Sequence, residues 1–259
     1  MIANYHTHHS LCRHAVGNTE DYVKEAIKKG LEELGMSDHA PFEWTNDQIR
    51  MNDQEFLGYL DEFYQAKATY GHQISLKIGL EAEYYPFQEK KYAYWLDKLD
   101  YLILGQHYIY YNNDLNHLYS AFALNTKEKI LEYGKIVVKA LHTGYFKILA
   151  HPDVFLEGYR EFDETAEVVT RMICEAAAKT NTLLEYNGNG YRKARVQTSV
   201  GIRRVYPRTK FFKIAEEYDC KIILSSDAHI PEQLVDESMV TAERDFNQLG
   251  SPKVTKIQW

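Results

Sequence analysis

The sequence predicts an α/β barrel in a single domain, and three observations carry that expectation. The chain has 259 residues and is 45% hydrophobic, enough to bury one large core. Short apolar runs alternate with longer amphipathic ones along its length, the order that builds a parallel sheet covered by helices. Six of the seven apolar runs end on a histidine or a carboxylate. In a barrel of parallel strands, those ends and the loops after them carry the chemistry.

Seven strands are expected, in the runs 2–8, 34–39, 76–81, 101–107, 146–151, 182–187 and 221–229. Helices fit 18–30, 53–70, 89–98, 208–218 and 231–248. Between the fourth and fifth strands, Ile130, Tyr133, Val137 and Leu141 recur at helical spacing and stop before Gly144, a residue suited to a helix C-terminus. After the fifth strand, Asp163 can cap a helix whose inner stripe includes Val169, Met172, Ile173 and Ala176, with Asn181 closing it. No linker, low-complexity stretch or fixed-period repeat interrupts the series.

Composition narrows the partners. Thirty Lys and Arg against 37 Asp and Glu give a formal charge of -7, without a long basic stripe, which argues against a general nucleic-acid or membrane surface and favours a small molecule. Cys12, Cys174 and Cys220 have neither CxxC spacing nor an even count, so they read as reduced thiols. The N-terminus runs straight into a strand, and no apolar run approaches the length of a membrane span. A cytoplasmic protein is expected.

His6-Thr7-His8 places two imidazoles on one face of a strand, with His9 on the other. Alone, such a pair is more often solvated than metallated. The same signal then repeats strand after strand, in His39, Glu81, His107, His151, and Asp227 with His229, while His14 falls in the first loop. Each singleton would by itself read as a core or surface residue; their common placement points to a polynuclear metal site. His72, His117 and His142 lie in a helix end, a polar loop and another helix end, and are set aside. Seven histidines, one Glu and one Asp divide naturally into three clusters. Imidazole and carboxylate without thiolate suit Zn, Mn or Fe(II).

At these residues the chain resembles the PHP (polymerase and histidinol phosphatase) family, in its histidinol-phosphatase branch. The matching segments are Tyr5-His6-Thr7-His8, Ser37-Asp38-His39-Ala40-Pro41, Gly79-Leu80-Glu81-Ala82-Glu83-Tyr84, Gly105-Gln106-His107, His151-Pro152-Asp153 and Ser226-Asp227-Ala228-His229. The resemblance implies a distorted TIM-like (β/α)7 barrel holding up to three divalent metals. It also implies a division of ligands: His6, His8, Glu81 and Asp227 for the first metal, Glu81 as a bridge with His107 and His151 for the second, and His14, His39 and His229 for the third.

The expected reaction is hydrolysis of a phosphate monoester, L-histidinol phosphate, by in-line attack of a metal-bridging hydroxide, since clustered cations offset the charge that makes such esters inert. Asp227, Asp38 and His229 are the candidates for proton transfer, Asp38 equally for an orienting role, and Asp153 for orienting a ligand. The alternative is a nuclease or other phosphoesterase of the same family, which the acidic balance disfavours; a metal-binding regulatory protein fits poorly with a complete ligand set. Loops after strands five and six offer Arg160 and Arg195, which the resemblance favours over Arg192, Arg203 and Arg204, as a guanidinium grip on the phosphate. Glu161, Glu43 and Asn187 are candidates for the substrate's amine and imidazole.

Overall fold

A computed structural model describes residues 1–42 and 49–259. Eight strands form one parallel sheet: β1 (Ala3–Asn4), β2 (Glu33–Met36), β3 (Ser75–Ala82), β4 (Tyr101–Leu104), β5 (Ile148–Leu149), β6 (Leu183–Asn187), β7 (Ile222–Ser225) and β8 (Lys253–Val254), hydrogen-bonded in that order. The first seven are those the apolar runs predict. The eighth is a correction: two residues are too short to register as a run, and they pair only with Ile222 and Ile223 at the start of β7.

That eighth strand explains how the sheet curls without ordinary closure. At the C-terminal ends of the strands, Thr7 bridges Ala228 in parallel, and Ser226 donates its backbone N–H to Asn4 Oδ1 at 2.7 Å, so β1 and β7 meet. At the opposite end β8 fills the gap. The result is a distorted barrel.

Helices follow the strands as expected: α1 (Thr19–Lys28), α2 (Asp53–Tyr70), α3 (Glu89–Lys98), α4 (Lys127–Leu141), the short α5 (Leu156–Tyr159), α6 (Glu164–Thr180), α7 (Thr209–Glu217) and α8 (Glu237–Asn247). Capping sets their ends. Asn18 and Asn52 form reciprocal capping boxes with Asp21 and Glu55. Asp163 caps α6, and Asn181 ends it with a left-handed φ of 56°. The single helix expected over 231–248 is instead a 3-10 turn, Pro231–Val235, and then α8, because the Asp236 side chain accepts from Met239 N and starts a new helix. Among the described residues no helix is long and apolar enough to cross a membrane.

Strand alternation divides the interior. Ala3, Tyr5, Tyr101, Ile103, Ile148, Ala150, Leu183 and Ile223 point inward and form a small cluster with Ile257 at the lower end of the barrel. Trp259 packs edge-on against Tyr5, at 5.7 Å between ring centroids, and donates Nε1–H to Glu33 at 3.0 Å. Their neighbours, such as Leu102 and Leu104, face the helices in the larger core. The apolar plug leaves the upper interior to polar side chains.

Candidate metal centre

Eight of the nine expected donors line one cleft of about 370 Å³, and His6 lies buried beneath it. Glu81 is the centre. Strand alternation sends Leu80 and Ala82 to the outer core and Glu81 inward, where it is 1% exposed. Gly105 makes room for it, since a Cβ there would stand 2.1 Å from Glu81 Oε1.

The two oxygens of Glu81 face different histidines. Oε1 lies 3.2 Å from His107 Nε2 and 3.0 Å from His151 Nε2. Oε2 lies 2.9 Å from His39 Nδ1 and 3.5 Å from Nε2 of both His6 and His8. Asp227 Oδ1 is 3.1 Å from His8 Nε2 and 3.7 Å from His6 Nε2. Donor atoms of His8, His39 and His229 fall within 4.8 Å of one another, and the His14 ring stands at the rim, 5.0 Å from that of His229 and 5.3 Å from that of His39.

These donors fit divalent cations. His39 Nδ1, Glu81 Oε2 and Asp227 Oδ1 are buried and make no hydrogen bond, an arrangement that is costly unless something else satisfies them. Cys12 groups with His8 and Asp38 but does not line the cleft, and burial pushes its thiol up to about 12. The donor set is therefore nitrogen and oxygen, which suits Zn, Mn or Fe(II).

Outer nitrogens are held by carboxylates. His6 Nδ1 is 2.7 Å from Glu185 Oε1, His107 Nδ1 is 3.0 Å from Glu83 Oε1, and His8 Nδ1 is 3.4 Å from Asp38 Oδ1. Each contact turns the opposite nitrogen toward the cleft. Burial disfavours charge on His6, but Glu185, Asp227 and Glu81 outweigh it and raise its proton affinity well above the ordinary value. Burial likewise opposes a proton on His107, and Glu81 and Glu83 raise it to about 9. Against burial, the surrounding histidines hold Glu81 and Asp227 ionised, well below the usual carboxylate range. Such concentrated charge is what clustered cations would neutralise.

A family model of the PHP domain matches residues 4–189, which contain every one of these donors except Asp227 and His229. The chain belongs to the PHP domain family. Among relatives of this PHP-domain chain, a probable histidinol-phosphatase of Deinococcus radiodurans is 26% identical over 98% of this chain and 96% of that protein. The histidinol-phosphatase of Bacillus subtilis is 29% identical over 55% of this chain and 56% of its own length. In fold, the chain matches the Lactococcus lactis histidinol phosphate phosphatase, solved with Zn, L-histidinol and phosphate, at a TM-score of 0.69 and 19% identity, covering 97% of this chain and 95% of that one.

Several expectations about individual residues need correction. Asp38 is fully buried behind His8, where it also contacts His9 Nδ1 at 2.9 Å and accepts from His39 N at 2.7 Å; it positions histidines and does not face the cleft. Burial and the nearby charge of His8 lower His229 to about 4, which leaves its imidazole neutral at pH 7, with Nδ1 3.1 Å from the Asp227 carbonyl oxygen. Asn187 is spent on Glu185 Oε2 and Asp227 Oδ2, at 2.8 and 3.1 Å. Glu161 accepts from the backbone and hydroxyl of Ser199, and Glu43 lies outside the described residues. Asp153, expected to orient a ligand, instead accepts from Arg208 N on Oδ2, while its Oδ1 and His151 Nδ1 each make no hydrogen bond.

Neither expected arginine lines the cleft. Arg160 borders an adjoining pocket that shares Phe122 and Lys193 with it, and Arg195 borders a separate cavity. The cations at the cleft wall are Arg50 and Lys193. Arg50 is 4% exposed and donates to Glu83 Oε1 at 3.0 Å; Lys193 pairs with Glu157 Oε2 at 3.0 Å and lies over the Phe122 and Tyr206 rings. Two of the missed residues carried a sequence signal. Glu83 follows Glu81 by two and Glu185 interrupts an apolar strand, so period-two alternation points both inward. Arg50 carried none.

Proposed function

We propose that this PHP-domain chain is an L-histidinol-phosphate phosphatase using up to three divalent cations, Zn, Mn or Fe. The arrangement around Glu81 carries the reading: one buried carboxylate divides its oxygens between two groups of histidines, as a bridge between two cations would. Assigned ligands are His6, His8, Glu81 and Asp227 for the first; Glu81, His107 and His151 for the second; and His14, His39 and His229 for the third. Bound cations would supply a nucleophile from water at neutral pH and neutralise phosphoryl oxygens.

The remaining steps belong to the chain. Asp227 Oδ2 is anchored by Asn187 and Asn189, at 3.1 and 3.3 Å, which turns Oδ1 toward His6 and His8, where it would hold the first cation and orient the water beside it. Lys193 and Arg50, held by Glu157 and Glu83, are the cationic side chains at the cleft wall that would meet the ester's anionic oxygens beside the cations. The full-length likeness to a probable histidinol-phosphatase supports histidinol phosphate as the ester.

A substrate panel tests this: histidinol phosphate, an aryl phosphate and single-stranded DNA, each with Zn, Mn or Fe. Preference for histidinol phosphate by kcat/KM is expected, and faster cleavage of DNA would overturn the assignment. In 18O-labelled water, a single turnover should place the label in phosphate; label in the alcohol would exclude attack at phosphorus.

A further inference from the structure

A second cavity, of about 600 Å³, lies between β6, α7 and α8 and shares no lining residue with the metal cleft. Arg195, Arg203, Arg204 and Arg208 stand around it, with Lys213, which is paired with Glu216 at 2.9 Å, against the single lining carboxylate of Asp245. For a chain in which acids outnumber bases this is a marked segregation of charge.

Ion pairing makes the segregation sharper. Of the ten arginines, Arg13, Arg50, Arg171, Arg192 and Arg244 each contact a carboxylate at 3.1 Å or less. The other five, Arg160, Arg195, Arg203, Arg204 and Arg208, form no ion pair with a described carboxylate, and four of those five line this one cavity. For three of the four, the contacts fix the side chain without neutralising it. Arg208 is 7% exposed and donates to the carbonyls of Val205 and Arg160, at 3.1 and 2.7 Å. Arg203 donates to the carbonyls of Ile202 and Val200, and the Arg204 guanidinium sits 3.6 Å from the centroid of the Tyr191 ring. Carbonyl and ring contacts hold a guanidinium's orientation while leaving its net charge to attract an anion.

The backbone adds to the same field. Helix α7 begins at Thr209, which borders the cavity; its N-cap, Arg208, supplies no side-chain acceptor, and its first turn has no acid to offset the positive end of the helix. The concave shape and the acidic remainder of the molecule favour a small ligand over a nucleic acid.

We infer that this cavity is a second anion site, which binds a small phosphate-bearing molecule apart from the metal cleft. The inference stands independently of which ester the metal centre cleaves. Equilibrium dialysis of the metal-loaded enzyme at physiological ionic strength, with labelled inorganic phosphate and with phenylphosphonate, tests it. Two bound anions per chain are expected. The double variant Arg203→Ala, Arg204→Ala should weaken one of them roughly ten- to hundredfold and leave the other, which His8→Ala should weaken. The exposed Lys213→Glu gives the same loss in a second background should the double variant fold poorly. Phenylphosphonate at the arginine-dependent site identifies an organic phosphate as occupant; inorganic phosphate alone there identifies the free ion. Binding that His8→Ala abolishes entirely, or that neither the arginine pair nor Lys213→Glu changes, would overturn the inference.

Discussion

Glu185 Oε1 lies 2.7 Å from His6 Nδ1, and the same carboxylate takes the backbone N–H of His151 on Oε2 at 2.9 Å. One side chain on β6 thus sets a donor just after β1 and the start of the loop after β5. Replacing it with Gln should lower metal occupancy or kcat/KM by roughly 10- to 100-fold while leaving the fold intact. Metal analysis and kinetics on Glu185→Gln measure this; unchanged values would reduce Glu185 to a packing role.

His6→Ala and His8→Ala should each abolish activity and lower bound metal. The barrel should persist, because its lower apolar cluster around Tyr5, Tyr101 and Ile103 does not involve either ring. Circular dichroism beside elemental analysis separates the two effects. Full occupancy with near-normal turnover would remove this strand-one pair from the site.

Glu81→Gln should be more damaging than His14→Ala. Glu81 contacts five histidines from the centre of the cleft, whereas His14 stands at the rim with its Nδ1 2.6 Å from the Cys12 carbonyl oxygen. Comparing metal stoichiometry and kcat/KM in the two variants decides it, and equal, small losses would count against a bridge.

Lys193→Ala should raise KM for the phosphate ester at unchanged metal content, by up to about 3 kcal/mol of charged hydrogen bonding in kcat/KM. Arg195→Ala should change KM less, since its side chain borders the other cavity, with Arg160→Ala between them because its pocket adjoins the cleft. The reverse ranking would mean that the loops after β5 and β6 move arginines into the cleft when substrate binds.

Asp153 provides a pH test. Burial raises its carboxyl from 3.8 to about 7, and the N–H of Arg208 only partly offsets this. A folded-state value above the unfolded one means that the folded chain binds the proton more tightly. The contribution to stability is therefore complete below about pH 4 and is lost as pH rises through about 7, by up to about 4 kcal/mol. In metal-free protein, Asp153→Asn should flatten the fall in urea midpoint across that interval. An identical pH profile in both proteins would show that the carboxyl is already ionised.

Much of this architecture is legible in the chain itself. Period-two alternation put Glu81 inward and Leu80 and Ala82 outward, and the repeated ending of apolar runs on His or carboxylate marked one end of the barrel as the site. Caps at Asp163 and Asn181 fixed helix ends because they act within a few residues. Local rules suffice for local features.

What lies beyond local rules was decided only by the tertiary structure. Two residues of β8 have no run to betray them, and they form a strand because Ile222 and Ile223 leave an edge open beside them. His151 and Asp227 take left-handed backbone angles, φ 28° and 48°, that the sequence does not announce and that the packed strand ends impose. Which guanidinium faces the cleft depends on how loops cross the barrel mouth, and so Arg50, from a segment with no motif, stands where Arg160 and Arg195 were expected. Residue type and spacing determined the donors and the end of the barrel they occupy; the partners of each donor follow from strand register and loop path, which only the folded chain brings together.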